Sequence, residues 1–518
     1  MIDCFIKRPF LSVLGMCLLF FITAGIFFNS RYLSVGEIDF IAISFLLIFS
    51  LKSYIERLGL ALSFMLILAI EALLSLGNMF LLLPLMIGLW FVIYKKGLNK
   101  NNLTFGIIAS AFLLHLFFVI NASVDLFQHD LSGTRLYMSL IAKNGLNWRD
   151  FDPWYMYYLF HQPLHFFILQ NVFLFEEWAW QSNTLSLEGL QYISLLYISF
   201  TSIFIAKICI ELKFKKKIFY AILTFISFNP TLTLFCGYIS DDVPALFWSS
   251  ATFYFLIKWY KTNLIKHIVF CAICFGLGCL SKLSILLSVP AISWLFCIKL
   301  IEKEHRKDII KGISLFIIIA VPLSLIWIIR NHILFDMQFY NVPDTSPMGQ
   351  NFKYLTLWER MTDFSMLGVP FIDAPHIVDA NILLALVKTE LFGEWDFSKI
   401  NNSLYNLGTI LYAVSLALKM VVIIGAIYIL ITPCNKLKNI MTFFVILYVS
   451  SILYALKYAI DYPYICSTDY RLFTLLLISE GMILANFANK NRAINKLLYL
   501  TCAIYAGLSF VIYVLVVS

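Results

Sequence analysis

Runs of about 20 consecutive apolar residues recur along most of this chain, and each is long enough to cross the hydrocarbon core of a bilayer as a helix. The runs are continuous and do not alternate, which selects helices over the strands of a membrane barrel. Lipid offers a backbone no hydrogen bonds, so each spanning segment must satisfy its own N–H and C=O groups. Composition agrees: 61% of the 518 residues are hydrophobic and 13% are charged, against about 25% charged in an ordinary soluble domain. A water-soluble protein could not hide that much apolar surface. The expected fold class is an all-α polytopic membrane protein. The net charge of +8 is modest and gives no reason to expect nucleic acid. The 11 cysteines are scattered, mostly within apolar runs and without a CxxC pair, as small buried side chains are, and not as a disulfide frame or metal site would be.

Candidate spans lie near 9–28, 38–54, 58–76, 79–94, 103–120, 187–210, 218–236, 243–257, 266–281, 283–300, 309–328, 407–433, 438–456, 471–488 and 497–517. That makes about fifteen, with a range of 13 to 15 because 243–257 and the 266–300 pair are short. The first run is not read as a cleavable signal peptide, since no small-x-small site follows it and further spans do. Lys and Arg set orientation by collecting in cytoplasmic loops. With Lys7 and Arg8 inside, alternation puts Lys52/Arg57, Lys95/Lys96/Lys100, Lys213/Lys215/Lys216/Lys217, Lys258/Lys261/Lys266 and Lys299/Lys303/Arg306/Lys307/Lys311 inside. Lys436/Lys438 and Lys490/Arg492/Lys496 follow. Every inward loop is then basic, and the protein is expected in a cell (inner or plasma) membrane with a cytoplasmic N-terminus. Two outward loops are long, 121–186 and 329–406, and both are rich in Asp, His, Arg, Trp and Tyr. The segment 164–176 is apolar but too short to span, as an interfacial helix would be.

The chemistry-bearing residues gather on that outward face. Asp125-Leu-Phe-Gln128-His129-Asp130 opens the first long loop, and His161-Gln162-Pro163-Leu164-His165 comes later in it. Ser240-Asp241-Asp242 and Ser281-Lys282 sit at outer ends of spans. Arg330-Asn331 opens the second long loop, which contains Glu390-Leu-Phe-Gly393-Glu394-Trp395. Tyr462-Pro-Tyr-Ile-Cys-Ser-Thr-Asp469-Tyr470-Arg471 leads into a late span. In order and approximate spacing, from about 103 to 472, these motifs resemble the GT-C glycosyltransferases, in the branch of protein O-mannosyltransferases and lipid A aminoarabinose transferases. The resemblance rests on Gln128-His129-Asp130, His161-Gln162-Pro163-Leu164, Asp241-Asp242-Val243-Pro244-Ala245-Leu246 and Gly278-Cys-Leu-Ser281-Lys282. This sequence has Asp-Leu where that branch has Asp-Glu, Gln-Pro for Pro-Pro, and Asp-Asp for Asn-Asp.

The resemblance implies a GT-C-like core with large external loops carrying interfacial helices. It divides the chain into an N-terminal membrane segment of about four helices (1–102, role unassigned), a catalytic module (103–487) and a C-terminal helix (488–518). It also implies transfer of a hexose or pentose from a polyprenyl-phosphate donor to an acceptor hydroxyl on a cell-envelope glycan, a lipid-linked glycan or a protein. An acceptor hydroxyl needs a base, and a carboxylate at a wet membrane surface stays ionised to serve. Asp130 is aligned with the family's catalytic carboxylate, and Asp125 is the reserve. The departing phosphate gains charge, which fixed cations stabilise more in the transition state than in the ground state. Lys282, Arg330 and Arg471 are the candidates, with His129, His161, His165, Asp242 and Glu394 as further substrate-binding residues. A single displacement inverts the anomeric centre. No metal-ligand spacing or nucleotide-binding glycine loop stands out, so no cofactor is expected beyond the lipid-linked donor, though a divalent metal stays open.

Each of these residues also has a plainer reading. Asp130 can cap a helix starting near Leu131, and His129 can bond a neighbouring loop. His161 and His165 can anchor an interfacial helix, Asp241 and Asp242 can end a span, and Arg471 and Lys282 can snorkel to headgroups. Glu394 can hold its long loop together. Glu71, His115, Lys419 and Glu480 fall inside spans, where they are costly unless paired; no motif claims them, and they are read as structural. Two rival functions remain. A lipid-glycan transporter or flippase would place ionisable groups near the midplane and show internal repeats, and only Glu71 and Lys419 favour it. An O-antigen polymerase would also be polytopic with large external loops.

Overall fold

The computed structural model describes residues 79–127, 130–145, 147, 149–180, 187–301, 306–338, 352–373, 378–432 and 436–518. Regular structure there is helical: α1 Met79–Lys96, α2 Lys100–Asn121, α3 Leu131–Asn144, α4 Leu164–Trp180, α5 Gln191–Glu211, α6 Lys216–Ser227, α7 Pro230–Gly237, α8 Asp242–Thr262, α9 Ile265–Ser281, α10 Val289–Ile301, α11 Arg306–Phe335, α12 Leu357–Thr362, α13 Ile382–Phe392, α14 Ser403–Ile431, α15 Lys436–Asp461, α16 Leu475–Lys490 and α17 Arg492–Val517. The chain is a multi-pass membrane protein. Among the described residues seven helical stretches are long and apolar enough to span, or nine if each of two bent pairs is one span. The expected spans 9–28, 38–54 and 58–76, with Glu71, lie outside the described residues. Of the expected spans that fall on described residues, 79–94, 243–257 and 266–281 are not among those nine, so the count of fifteen is not reached.

The spans start and stop close to where the apolar runs do, because a run of Leu, Ile and Phe without a breaker has no reason to leave the helix. Two bends interrupt them. The run 218–236 breaks between α6 and α7 at an angle of 41°. Pro230 lacks an N–H and cannot continue α6, so it takes the first turn of α7 instead, where the Asn229 side chain accepts from the Thr231 N–H at 2.9 Å. The second break, 57°, separates residues 466–473 from α16. It turns the Tyr470–Phe473 3-10 turn aside from the helix axis, with the Asp469 carboxylate accepting from the Arg471 N–H at 3.1 Å.

Contacts at helix ends sort into two groups. Lys215 donates to the Asn489 carbonyl at 2.9 Å, Lys261 pairs with Glu211 at 3.8 Å, and Asn439 donates to the Tyr260 hydroxyl at 3.1 Å. These residues all belong to or flank the basic loops. The acidic ends, Asp130, Asp241, Asp242 and Arg471's turn, meet one another instead. Between them runs an apolar interior in which Trp259, Phe253, Phe443 and Tyr513 are fully enclosed. The first long loop, 121–186, folds where described as α3, a 3-10 turn Tyr157–Phe160 and α4; the second, 329–406, carries α12 and α13.

One expectation is corrected. The span expected at 309–328 continues to Phe335, so Arg330 lies within α11 and does not open a loop. Nothing in Ile-Ile-Arg-Asn-His-Ile-Leu-Phe breaks a helix. The guanidinium is accommodated by the Phe151 carbonyl and Asn331 Oδ1, both at 2.5 Å, and by the faces of Trp327 and Phe335 at 4.3 and 4.5 Å.

Helices α9 and α11 pack side by side because Gly276 has no side chain: a Cβ there would sit 2.6 Å from that of Leu323. Gly276→Val is expected to cost about 1–3 kcal/mol through overpacking, read as a lower midpoint of thermal unfolding in detergent. An unchanged midpoint would contradict the close approach.

Candidate functional site

The start of α3 departs from ordinary capping. Asp130 sits at the N-cap position with φ +59° and its carboxylate makes no cap hydrogen bond. Asp tolerates this left-handed conformation better than most residues, and here it frees the side chain to turn away from α3. Tyr158 donates its hydroxyl to Oδ1 at 2.7 Å, and Arg471 donates to Oδ2 at 2.7 Å. Gly133 makes the first contact possible, since a Cβ on it would collide with the Tyr158 ring. Capping thus does not account for Asp130.

Arg471 is the centre of the cluster. Besides Asp130, its guanidinium lies 3.6 Å from Asp242 Oδ2 and 3.0 Å from Asp469 Oδ2. Asp242, in the first turn of α8, also pairs with Lys282, which follows α9, and accepts from the Ser240 hydroxyl at 3.0 Å. Lys282 lies 3.2 Å from Asp241, whose other oxygen is 3.0 Å from Nδ1 of His161. One chain of contacts therefore joins residues from five parts of the sequence. Four carboxylates share two permanent cations, so the cluster holds a surplus of negative charge. Burial alone would raise the Asp241 pKa, but Lys282 and His161 outweigh it and hold the carboxyl well below its usual range. Burial likewise works against the Lys282 ammonium, and Asp241 and Asp242 more than offset it, leaving its pKa raised. Access separates the acids: the Asp130 side chain is 38% exposed, those of Asp242 and Asp469 0% and 3%.

The sequence candidates divide accordingly. Asp130, His161, Asp242, Lys282 and Arg471 meet in the cluster. Glu394, just past α13, feels the fields of Asp469, Arg471 and Asp130. His165 is fully buried beside the Tyr197 ring, at 6.1 Å, and burial lowers its pKa to about 4 against the pull of Asp241 and the Ile239 backbone; it packs behind the site as a neutral ring. Asp125 is drawn elsewhere: it pairs with Arg135 at 3.1 Å on the surface, both exposed. Arg330 bonds the loop carbonyl of Phe151. His129 lies outside the described residues. Three contributors were not among the sequence candidates. Tyr158 had no motif to mark it; Asp241 and Asp469 stood inside quoted motifs, next to residues that were chosen. Among the described residues, no group of three or more His, Cys, Asp and Glu is placed to hold a metal ion.

Residues 144–339, less than half of the chain, match the family model for dolichyl-phosphate-mannose-protein mannosyltransferase. The match bears out the GT-C resemblance carried by the motifs. It takes in His161, Asp241, Asp242 and Lys282 and leaves Asp130 and Arg471 outside. No curated protein matches the sequence. Among solved structures, the crystal structure of ArnT from Cupriavidus metallidurans bound to undecaprenyl phosphate is 13% identical, with 79% of this chain and 76% of that chain covered and a TM-score of 0.36.

Burial, then the nearby charge of Asp469, push the Glu394 carboxyl up to about 8 against the opposing pull of Arg471. An unfolded Glu releases its proton near about 4.3. Between those values the native state binds a proton that the unfolded chain has lost, so Glu394's contribution to stability is full below the lower value and lost as pH rises through the upper one. Thermal unfolding midpoints followed across that window should fall with pH in the wild type and fall less in Glu394→Gln. Identical profiles would contradict the assignment.

Proposed function

We propose that this protein is a membrane glycosyltransferase that moves a monosaccharide, hexose or pentose, from a polyprenyl-phosphate donor to an acceptor hydroxyl on a cell-envelope glycan, a lipid-linked glycan or a protein. Transfer takes place at the face of the membrane that carries the cluster, the non-cytoplasmic one, with the N-terminus on the opposite side. The family match over 144–339 supports the class of reaction. The observation that carries the reading is the half-open Asp130 carboxylate, held between Tyr158 and Arg471 at the lip of a helix bundle.

In this reading the acceptor hydroxyl approaches Asp130 and gives up its proton as its oxygen attacks the anomeric carbon. The bond from that carbon to the phosphate oxygen breaks, and the polyprenyl phosphate leaves with the electron pair. A single displacement inverts the carbon. The surplus of carboxylates suits both events at the sugar: it favours proton uptake by Asp130, and it stabilises positive charge developing at the anomeric carbon. Arg471 serves the leaving phosphate. A phosphate drawn to its guanidinium competes with Asp130 for it, so donor binding loosens the ion pair and restores basicity to the carboxylate when the acceptor arrives. Lys282 is held by Asp241 and Asp242 and acts by fixing those acids beneath Arg471.

Asp130→Asn keeps the shape and the Tyr158 contact but cannot take a proton. In membranes given a labelled polyprenyl-phosphate sugar, it is expected to lose about 10²–10⁴-fold in transfer rate at unchanged protein abundance. Wild-type transfer by the variant would remove Asp130 from the reaction.

A further inference from the structure

Buried polar side chains outside the cluster converge on Lys419, in the middle of α14. Its ammonium pairs with Glu390 of α13 at 2.5 Å and with Glu480 of α16. Glu390 and Glu480 are 0% and 2% exposed. Ionisable groups at such depth persist when they are paired, and here they are. Asn229 donates to Glu390 Oε1 and shares a contact with the Tyr505 hydroxyl, both at 2.9 Å, while Thr231 donates to the Glu390 carbonyl at 2.7 Å. Four spans, the α6–α7 pair, α14, α16 and α17, are thereby linked to α13. Glu480 lies five residues past the start of α16, about 8 Å along its axis at 1.5 Å per residue, so the trio sits just beneath the turn that carries Arg471.

The link between the two is short. Thr389, the residue before Glu390, is 4% exposed. Its hydroxyl accepts from the Tyr470 N–H at 2.9 Å and lies 3.2 Å from the Thr468 carbonyl. The Lys419 ammonium lies 5.5 Å from the centre of the Tyr470 ring. Residues 468–471 belong to the broken span and lack the hydrogen-bond ladder of a continuous helix, so an outside partner has to fix them. We infer that Thr389 is the positioning residue for Arg471, anchored in the membrane by the Lys419–Glu390–Glu480 trio. This rests on the proposed function only in making Arg471 a substrate-facing group.

The test reads Arg471 directly. Phenylglyoxal modification of Arg471, followed by mass spectrometry on protein in membranes, should be several-fold faster in Thr389→Val than in the wild type, and Thr389→Ser should restore protection. The neutral combination Lys419→Met, Glu390→Gln and Glu480→Gln should expose Arg471 likewise, and it carries the test if the valine variant does not accumulate. Sugar transfer adds a second readout: Thr389→Val should lower kcat by about tenfold or more with the unfolding midpoint close to wild type, and the serine variant should recover it. Equal modification of Arg471 in the wild type and in the variant tested would overturn the inference. A wild type that transfers no sugar would instead sink the proposed function and leave this one standing.

Discussion

A guanidinium enclosed at the edge of a membrane must find its counter-charges within the protein, and Arg471 finds three. Asp130, Asp242 and Asp469 all lie within ion-pair distance of it. Removing the arginine would leave the buried carboxylates of Asp242 and Asp469 short of a counter-charge, at a cost of about 3–5 kcal/mol. That constraint forces the start of α3, the start of α8 and the turn before α16 to one place. Lys282 and His161 extend the same network through Asp241. These ends of the helices are held together by charge, much as their middles are by apolar packing.

The same arrangement creates the difference in access on which chemistry depends. Asp242 and Asp469 spend their charge inside. Asp130, at the rim and with unusual backbone geometry, keeps an oxygen within reach of the outside. Rigid support under a half-open acid is what a general base requires, since its geometry must be fixed before substrate arrives. The break at 474 sets the geometry of that rim. A continuous α16 would carry residue 471 along its own axis, whereas the 57° bend presents it sideways to Asp130.

Much of this was legible in the sequence. Apolar run length fixed the helix ends to within a few residues for most described spans, because in lipid a helix persists until its apolar run ends. The motifs around Asp130, His161, Asp242, Lys282 and Arg471 were legible as members of one face, since alternation of basic loops put them there. Their pairing was not. Asp130 and Arg471 are 341 residues apart, and one sequence carries no signal of which loop folds onto which. Tyr158 and Thr389 escaped for a related reason: a hydroxyl that bonds a partner in space looks like any other in a row of letters. Arg330 misled because an Arg near the end of an apolar run marks a surface only when nothing inside can bond it. Trp327, Phe335 and the Phe151 carbonyl do so here. Lys419 and Glu480 were rightly suspected of needing partners; they pair with each other, and the second partner of Lys419, Glu390, lay in a loop that held no expected span.

The closeness of residues 130 and 471 is the point on which everything turns. It can be measured by placing cysteines at both positions, with the native cysteines replaced, and adding a short bifunctional thiol reagent to intact membranes. An intramolecular cross-link, formed in high yield and blocked by prior thiol capping, is the predicted result. Two cysteines that each react singly from opposite faces of the membrane, with no cross-link, would contradict the account.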